Sequence, residues 1–415
     1  MKIIVVGGGA AGFFGAISAN GGADNRHALH PDIQIVLLEA SPQILTKVRI
    51  SGGGRCNVTH ACFDPAILVQ NYPRGAKALR GAFSRFQPRD TIHWFEGRGV
   101  RLKTEVDGRI FPDTDDSATI VDCLIEAIRD IGVNLRTHAP VVSVVRQDEQ
   151  FSLQLKSGEQ IMGDRILLAT GSSPQGHKIA KALGHNIIPP VPSLFTFNIA
   201  DPRLQDLAGL SVDPVQLKLQ MSHSASSEQS GACLITHWGL SGPAVLKLSA
   251  WEARTLQESG YQAKLLVNWL PQFNLERLRE QLLKAKADFP KRLVSRYRPL
   301  QLPQRLWERL TWSAGINEVT QWSQLSSKAL NALLQELTQG CYHIQGKGVF
   351  KEEFVTCGGV NLKEVDFKTM QSRICPGLYF AGEVLDIDGV TGGFNFQSAW
   401  TTGWIAGQAI AQAHL

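Results

Sequence analysis

Met1-Lys-Ile-Ile-Val-Val-Gly-Gly-Gly-Ala-Ala-Gly12 opens the chain. The apolar run Ile3 to Val6 predicts a buried strand, and Phe13 to Ala19 continues as a helix. Gly7, Gly9 and Gly12 fit G-x-G-x-x-G. Each glycine has its own reason: the first allows a tight turn, the second lets backbone approach a pyrophosphate, and the third lets helix and strand pack closely. The helix N-terminus offers unpaired N–H groups and partial positive charge to phosphates. A second apolar run, Ile33 to Leu38, ends in Glu39, an acid suited to ribose hydroxyls. The polar stretch Asn20 to Asp32 predicts a long loop and explains why Glu39 follows Gly12 at more than the usual ~20 residues. The expectation is a dinucleotide site; the alternative is a doubly wound domain without a ligand.

The remaining composition is that of a soluble globular protein: 415 residues, 43% hydrophobic and 19% charged, enough for two or three domains. The net charge of +5 is read as spread along the chain without a basic tail, which suits anionic cofactors and small substrates and speaks against a nucleic-acid partner. Seven irregularly spaced cysteines make no disulfide framework, and the glycines at 7, 8, 9 and 12 break any signal peptide, so a cytoplasmic location is expected. No apolar run reaches the ~18 residues of a membrane span, so no membrane partner is expected. The oligomeric state is left open.

Lys47-Val-Arg-Ile-Ser-Gly-Gly-Gly-Arg-Cys-Asn57 brings three glycines beside Ser51, Arg55 and Asn57, either a backbone nest for an anion or polar ring or a flexible glycine loop. Cys56 and Cys62 are spaced C-x5-C, open to reading as a redox pair or as a single thiol beside a cofactor. Arg74, Arg80, Arg85, Arg89, Arg98 and Arg101 are read as solvated helix faces. A helix is predicted from Ser117, capped by Asp116 or Ser117, then strands at Val141 to Val145 and Phe151 to Leu155 with a hairpin turn at Ser157-Gly158. Arg165 to Gly171 reads as a buried strand ending in A-T-G.

Pro189, Pro190 and Pro192 mark a boundary. Beyond it lie strands at Leu194 to Ile199, Val215 to Met221, Ala232 to Thr236 and Ala263 to Trp269, then helices at Leu275 to Lys286 and Lys328 to Thr338. The predicted class is α/β: a doubly wound domain, 1–189 plus 342–415, interrupted by a β-rich insertion, 190–271, and a helical insertion, 272–341. The closing segment carries Gly377-Leu-Tyr-Phe-Ala-Gly-Glu-Val-Leu-Asp386 and Gly389-Val-Thr-Gly-Gly-Phe-Asn-Phe-Gln397, the latter leading into a helix whose Phe396, Trp400, Gly403, Gly407 and Ile410 share one core face.

These pieces predict an FAD site. FAD is extended, so the opening turn and Glu39 would hold adenosine and pyrophosphate, while a second helix N-terminus stabilises negative charge on the reduced ring. Glu383 is placed for ribityl hydroxyls, and Asn395 with the 392–393 backbone for the ring. The candidate cofactor residues are Gly7, Gly9, Ala10, Ala11 and Gly12; Glu39 and Ala40; Lys47, Ser51, Gly52, Gly53, Arg55, Cys56 and Asn57; Val142; Ala169, Thr170 and Gly171; Gly382, Glu383 and Asp386; and Gly392, Gly393, Phe394, Asn395 and Gln397.

The motifs I-S-G-G-G-R-C-N, T-H-W-G-L-S-G-P, C-G-G-V-x-L-K-E-V and L-Y-F-A-G-E-V-L-D-I-D-G-V-T-G-G-F-N-F-Q, in that order over nearly the whole chain, resemble those of the bacterial YhiN/BaiN-type flavoproteins. The resemblance implies an FAD-dependent oxidoreductase and matches at Gly7, Gly9, Gly12, Glu39, Lys47, Arg55, Asn57, Gly382, Glu383, Asp386, Gly393, Asn395 and Gln397. Cys357 departs from the family pattern and receives no role. A more distant likeness to fumarate-reductase-like flavoproteins makes Thr356 a candidate substrate contact.

The expected chemistry is two-electron transfer at flavin N5 to or from a small organic substrate. His237 is the candidate acid or base, set against a structural histidine beside Trp238. No second G-x-G-x-x-G is present, so NAD(P)H would serve as a transient donor at the flavin face. The resemblance spans reductases of unsaturated substrates and aminoacetone oxidases, leaving an amine oxidase using O2 as an alternative. A flavin-dependent RNA-modifying protein is a further alternative.

Overall fold

The computed structural model describes residues 1–19, 32–220, 227–348 and 355–413. The expected loop from Asn20 lies outside these residues except for Asp32, as does Met221. The chain divides into two compact units, 1–190 with 355–415, and 191–354.

The first unit is built on strand Lys2–Val6, whose residues Ile3 to Val6 are all buried. A strand buried on both faces needs a continuous apolar run, and each such side chain contributes roughly 1.5–3 kcal/mol when fully buried. Strands Gln34–Leu38 and Arg165–Leu168 pair with it in parallel, Val6 opposite Leu38 and Leu168. Asn134–Arg136 extends one side in parallel and Leu378–Phe380 the other. Short antiparallel strands at Gln371–Ser372 and Val365–Asp366 finish the sheet.

Helix Ala10–Ser18 follows the first strand, and the closing helix Phe394–Gln412 packs on it through glycine. A Cβ on Gly407 would lie 2.4 Å from the Gly15 carbonyl oxygen, and one on Gly403 2.7 Å from that of Ala11. Helix Ala118–Asp130 buries Ile120, Val121, Leu124, Ala127 and Ile128, the expected helical spacing. Its first-turn N–H of Ala118 bonds to Asp116, while Ser117 Oγ donates to the Arg49 carbonyl. Strands Val141–Gln147, Gln150–Leu155 and Gln160–Gly163 form an antiparallel meander with the expected hairpin.

In the second unit, strands Gly340–Ile344, Ala263–Asn268, Ser211–Gln220, Glu228–Thr236, Gly239–Ser241, Phe197–Asn198 and Gly346–Lys347 form, in that order, one antiparallel sheet. Helices Leu275–Asp288 and Ser327–Gln339 match the periodicity, and Ser326 caps the latter by accepting the Ala329 N–H at 3.1 Å. Helix Gln304–Ser313 is additional, with Pro303 at its cap. Helical Leu282, Trp307 and Leu333 share one buried core with strand residues Leu217, Ile235 and Val267. Residues 340–347, grouped in part with the closing segment on sequence, pair in this sheet because Gly340 ends its helix and starts a strand directly against Val267.

Candidate functional site

The three glycines of the opening motif occupy three different environments. Gly7 has φ +115°, and a Cβ there would sit 2.4 Å from the Ala169 carbonyl oxygen. A Cβ on Gly12 would fall 1.9 Å from the Gly7 oxygen, so this glycine permits the helix to rest on the turn. At Gly9 a Cβ would meet nothing within 4 Å. Gly9 is also the helix N-cap and makes no side-chain cap bond. The N–H groups that follow, including those of Ala10 and Ala11, have no intrahelical acceptor in a first turn, so open space and donors coincide as a pyrophosphate requires.

Glu39 braces this turn. Its Oε2 accepts the Gly8 N–H at 2.7 Å and its Oε1 the Ser41 N–H at 2.8 Å. Each oxygen keeps a lone pair for a ribose hydroxyl. Ala40 beside it is exposed. The Ala139 N–H bonds to the Glu39 carbonyl, and that of His138 to the Ser41 carbonyl, bringing the meander alongside. Val142 lies there where the strand register shifts between Val141 and Ser143; its carbonyl accepts Gln175 Nε2 at 2.6 Å. A bulged residue of this kind presents backbone outside the ladder.

A second convergence forms around Glu383. Gly382, at φ +74°, would place a Cβ 2.8 Å from that of Ala11, which brings the closing segment against the opening helix. Glu383 Oε1 accepts the Thr356 N–H at 2.9 Å, and Oε2 accepts Lys47 Nζ at 2.6 Å. Gly171, which follows Ala169 and Thr170, lies on the same carboxylate, a Cβ there falling 3.7 Å from Oε2. The Lys47 side chain is half exposed, so this ion pair contributes little stability and can yield to a ligand. His177 packs nearby; burial lowers its pKa, against the opposing pull of the Val384 carbonyl and the Glu383 charge. Among the described residues, the buried atoms His177 Nε2 and Thr170 Oγ1 have no hydrogen-bond partner. Buried polar atoms of that kind fit a site that a polar cofactor completes.

The glycine loop is locally left-handed: Gly52, Gly53 and Gly54 have φ +58°, +71° and +86°. Gly52 is pressed against Phe111, a Cβ there falling 2.8 Å from the ring, whereas Gly53 faces open space. Ser51 Oγ donates to the Val48 carbonyl. Arg55 lies over the Phe111 ring at 4.0 Å and pairs with Glu105 at 2.7 Å and Asp115 at 3.4 Å. Cys56 is buried, and burial pushes its thiol up to about 12, which removes the thiolate a redox pair needs. Among the described residues Cys56 and Cys62 are both free thiols.

At the closing helix, Gly392 and Gly393 have φ +129° and +91°. Asn57 Oδ1 accepts the Gly393 N–H at 3.0 Å while its Nδ2 donates to the Thr59 carbonyl at 3.1 Å. Asn395 closes a loop with Gly389, accepting its N–H and donating to its carbonyl, both at 2.8 Å. Gln397 is fully buried; Oε1 accepts from Thr59 and Thr91, and Nε2 donates to Thr401. These three amides therefore shape the helix entrance through protein partners. Phe394 stacks on His60 at 4.7 Å, and its carbonyl accepts the Tyr72 hydroxyl at 2.6 Å. The Asp386 N–H donates to the Val360 carbonyl at 3.1 Å. Tyr72, His60 and His177 carry no sequence signal, because their partners lie far along the chain. Arg74, read on sequence as part of a solvated helix face, instead turns inward to pair with the buried Asp388.

His237 belongs to the second unit, exposed with Trp238 on the hairpin between Glu228–Thr236 and Gly239–Ser241. Thr236 Oγ1 donates to the Gly239 carbonyl across that turn. Among the described residues no helix is long and apolar enough to cross a membrane.

Comparison with known proteins matches residues 1–409 to a family model described as the HI0933-like protein Rossmann domain. A ribosomal RNA dihydrouridine synthase of Escherichia coli is 32% identical, covering 99% of this chain and 98% of its own. A 3-dehydro-bile acid delta(4,6)-reductase of Clostridium scindens is 28% identical, covering 99% of each. Among solved structures, a 3-ketosteroid-delta4-(5alpha)-dehydrogenase from Rhodococcus jostii is similar in fold, with TM-score 0.51 and 14% identity over 99% of this chain and 97% of that one.

Proposed function

The chain belongs to the HI0933-like Rossmann family and is an FAD-dependent oxidoreductase, and from that premise we propose that it reduces a carbon–carbon double bond conjugated to a carbonyl, with uridine in ribosomal RNA as the substrate. The observation that carries this reading is an end-to-end relative, 32% identical, named for making dihydrouridine in ribosomal RNA. The uracil 5,6 double bond is conjugated to a ring carbonyl, which makes its far carbon a hydride acceptor. This proposal parts from the expectation of a small free substrate without nucleic acid. A second reading, a steroid-like enone, is favoured by the bile acid reductase and uses the same chemistry.

FAD, when bound, supplies two-electron hydride transfer. The chain's residues have separate tasks. The first-turn N–H groups at Ala10, Ala11 and Gly12 take the pyrophosphate charge, and Glu39 orients a ribose while holding the turn. Lys47 and Glu383 hold the hydroxylated chain toward the ring, with Thr356 contacting substrate. The reduction also needs a proton at the carbon beside the carbonyl, the role for which His237 is the candidate. NAD(P)H acts as a transient donor.

The test is anaerobic titration of the yellow holoprotein with NADH and NADPH, then addition of a uridine-containing ribosomal RNA fragment or a conjugated 3-keto steroid acid. Bleaching by a nicotinamide, followed by reoxidation with RNA and a nucleoside two hydrogens heavier, is expected. Bleaching by an amine alone, with hydrogen peroxide formed in air, overturns the reading in favour of an amine oxidase.

A further inference from the structure

We propose that a basic cleft between helix Ala76–Phe83 and the segment Val365–Arg373 docks the phosphodiester backbone of the RNA substrate, an inference that rests on the RNA reading above. Both sides of the cleft belong to the first unit. Between Asp64 and Asp90 the sequence has five basic residues and no acid, so this stretch matches the whole chain's surplus of +5. The remainder of the protein is formally neutral. Cations this concentrated on one stretch make a field that a spread surplus does not.

The fold turns the stretch outward. Leu79, Ala82 and Phe83 take the buried face of the helix, leaving Lys77 and Arg80 exposed, followed by exposed Arg85 and Arg89. Arg74 alone is turned inward, to the buried Asp388. Lys368 and Arg373, exposed on the other wall, come from the far end of the sequence. Between the walls is a cleft of about 570 Å³ lined by Ala82, Arg85, Asp366, Phe367, Lys368 and Arg373. An Arg85 N–H donates to the Lys368 carbonyl and ties the walls together. Asp366, the carboxylate in the lining, accepts the Lys368 N–H at 3.0 Å and faces Arg373 at 3.5 Å. Three cations against one internally engaged carboxylate leave net positive charge in a concave site. The half-buried Phe367 ring offers an apolar surface beside it, the combination that holds a nucleic-acid strand by phosphate contact with ring packing.

The experiment measures fluorescence anisotropy of the FAD-loaded protein with a labelled ribosomal RNA fragment at several salt concentrations. The variants are Lys368→Glu with Arg85→Gln, and separately Lys77→Glu with Arg80→Glu, whose side chains lie on the solvent face and serve as the folding-safe pair. Flavin bleaching by NAD(P)H serves as the folding control. Each pair is expected to weaken RNA binding about tenfold and to flatten the salt dependence, by roughly 0.7 in log–log slope per lost phosphate contact. Dihydrouridine formation should fall through KM, with kcat retained at saturating RNA. Unchanged affinity and slope, while the parent protein still makes dihydrouridine, overturns the cleft and leaves the proposed function standing. A parent that neither binds nor reduces RNA, yet reduces a keto steroid, overturns the RNA reading and this proposal together. Binding of the parent to anionic vesicles but not to the RNA fragment, lost in both variant pairs, also overturns it.

Discussion

Removing the Glu39 carboxylate strands two backbone donors at once, the N–H groups of Gly8 and Ser41. Hydrogen bonds to a charged acceptor are worth roughly 1.5–3 kcal/mol each, so Glu39→Ala should lower stability even without cofactor and weaken FAD binding at least tenfold. Flavin fluorescence quenching and urea unfolding of the apo-protein measure the two effects. The motif glycines separate the same two roles. Gly9→Ala is expected to leave apo-protein melting unchanged while weakening FAD binding, since its Cβ enters only the open space. Gly12→Ala should fail in both, because its Cβ meets the Gly7 oxygen. Equal melting losses in the two variants would show that Gly9 faces packing rather than a ligand. Two buried histidines add a pH dependence. Burial lowers the pKa of His177 and of His185, in the latter case against the nearby Glu364. The unfolded chain thus binds protons more readily than the native one as pH falls below about 6.5, so their contribution is present above that pH and lost on acidification. Melting temperature should drop from pH 7 to pH 5, and His177→Gln should flatten that drop. A parent whose melting is level over this range would contradict the assignment.

At the scale of elements, the helices Ala10–Ser18 and Phe394–Gln412 depend on glycine for their spacing. Gly407→Ala would drive a methyl against the Gly15 carbonyl and is expected to cost roughly 1–3 kcal/mol, the usual penalty of overpacking. Because Gly382 touches Ala11 at the same junction, FAD should also dissociate faster; a loss of stability with an unchanged off-rate would separate the helix contact from the site. The apolar strands at Ile3 to Val6 and Ile33 to Leu38 and the core face of the closing helix were legible on the sequence because period is a local property. The strand order and the glycine contact between the two helices depend instead on partners far along the chain. Helix Gln304–Ser313 was not legible either, since Pro299 and Pro303 look like breakers, although a proline at the cap loses no helical bond. The partners of Asn57, Asn395 and Gln397 were hidden for another reason. An exposed amide offered to a ring and a buried amide satisfied by Thr59 and Thr91 look identical in sequence, and only the fold brings residues 59 and 91 to residue 397. By contrast, the reading of the arginines after Asp64 as solvated faces holds at Arg80, Arg85 and Arg89, because Leu79 and Phe83 take the buried side of their helix.

For the whole molecule, the decisive feature is that the first unit is assembled from both ends of the chain while the second has a core of its own. In the second unit, Trp269, Trp307, Trp322 and Tyr342 are fully buried, and Arg203 is locked to Asp201 and Glu336, each at 2.7 Å, over the Tyr342 ring. The residues assigned to the nucleotide and to the hydroxylated chain, from Gly7 through Glu39 to Glu383, all lie in the first unit. A ligand stabilises only what it binds when folded, by about 2.7 kcal/mol at a hundredfold excess over its Kd. Calorimetry of the full chain should therefore resolve two transitions, with added FAD raising the temperature of one and leaving the other in place. Gly9→Ala should reduce that FAD-dependent rise without moving the second transition. A single transition that shifts as one body with FAD would mean that the cofactor's binding energy reaches both cores, and that the units do not unfold independently.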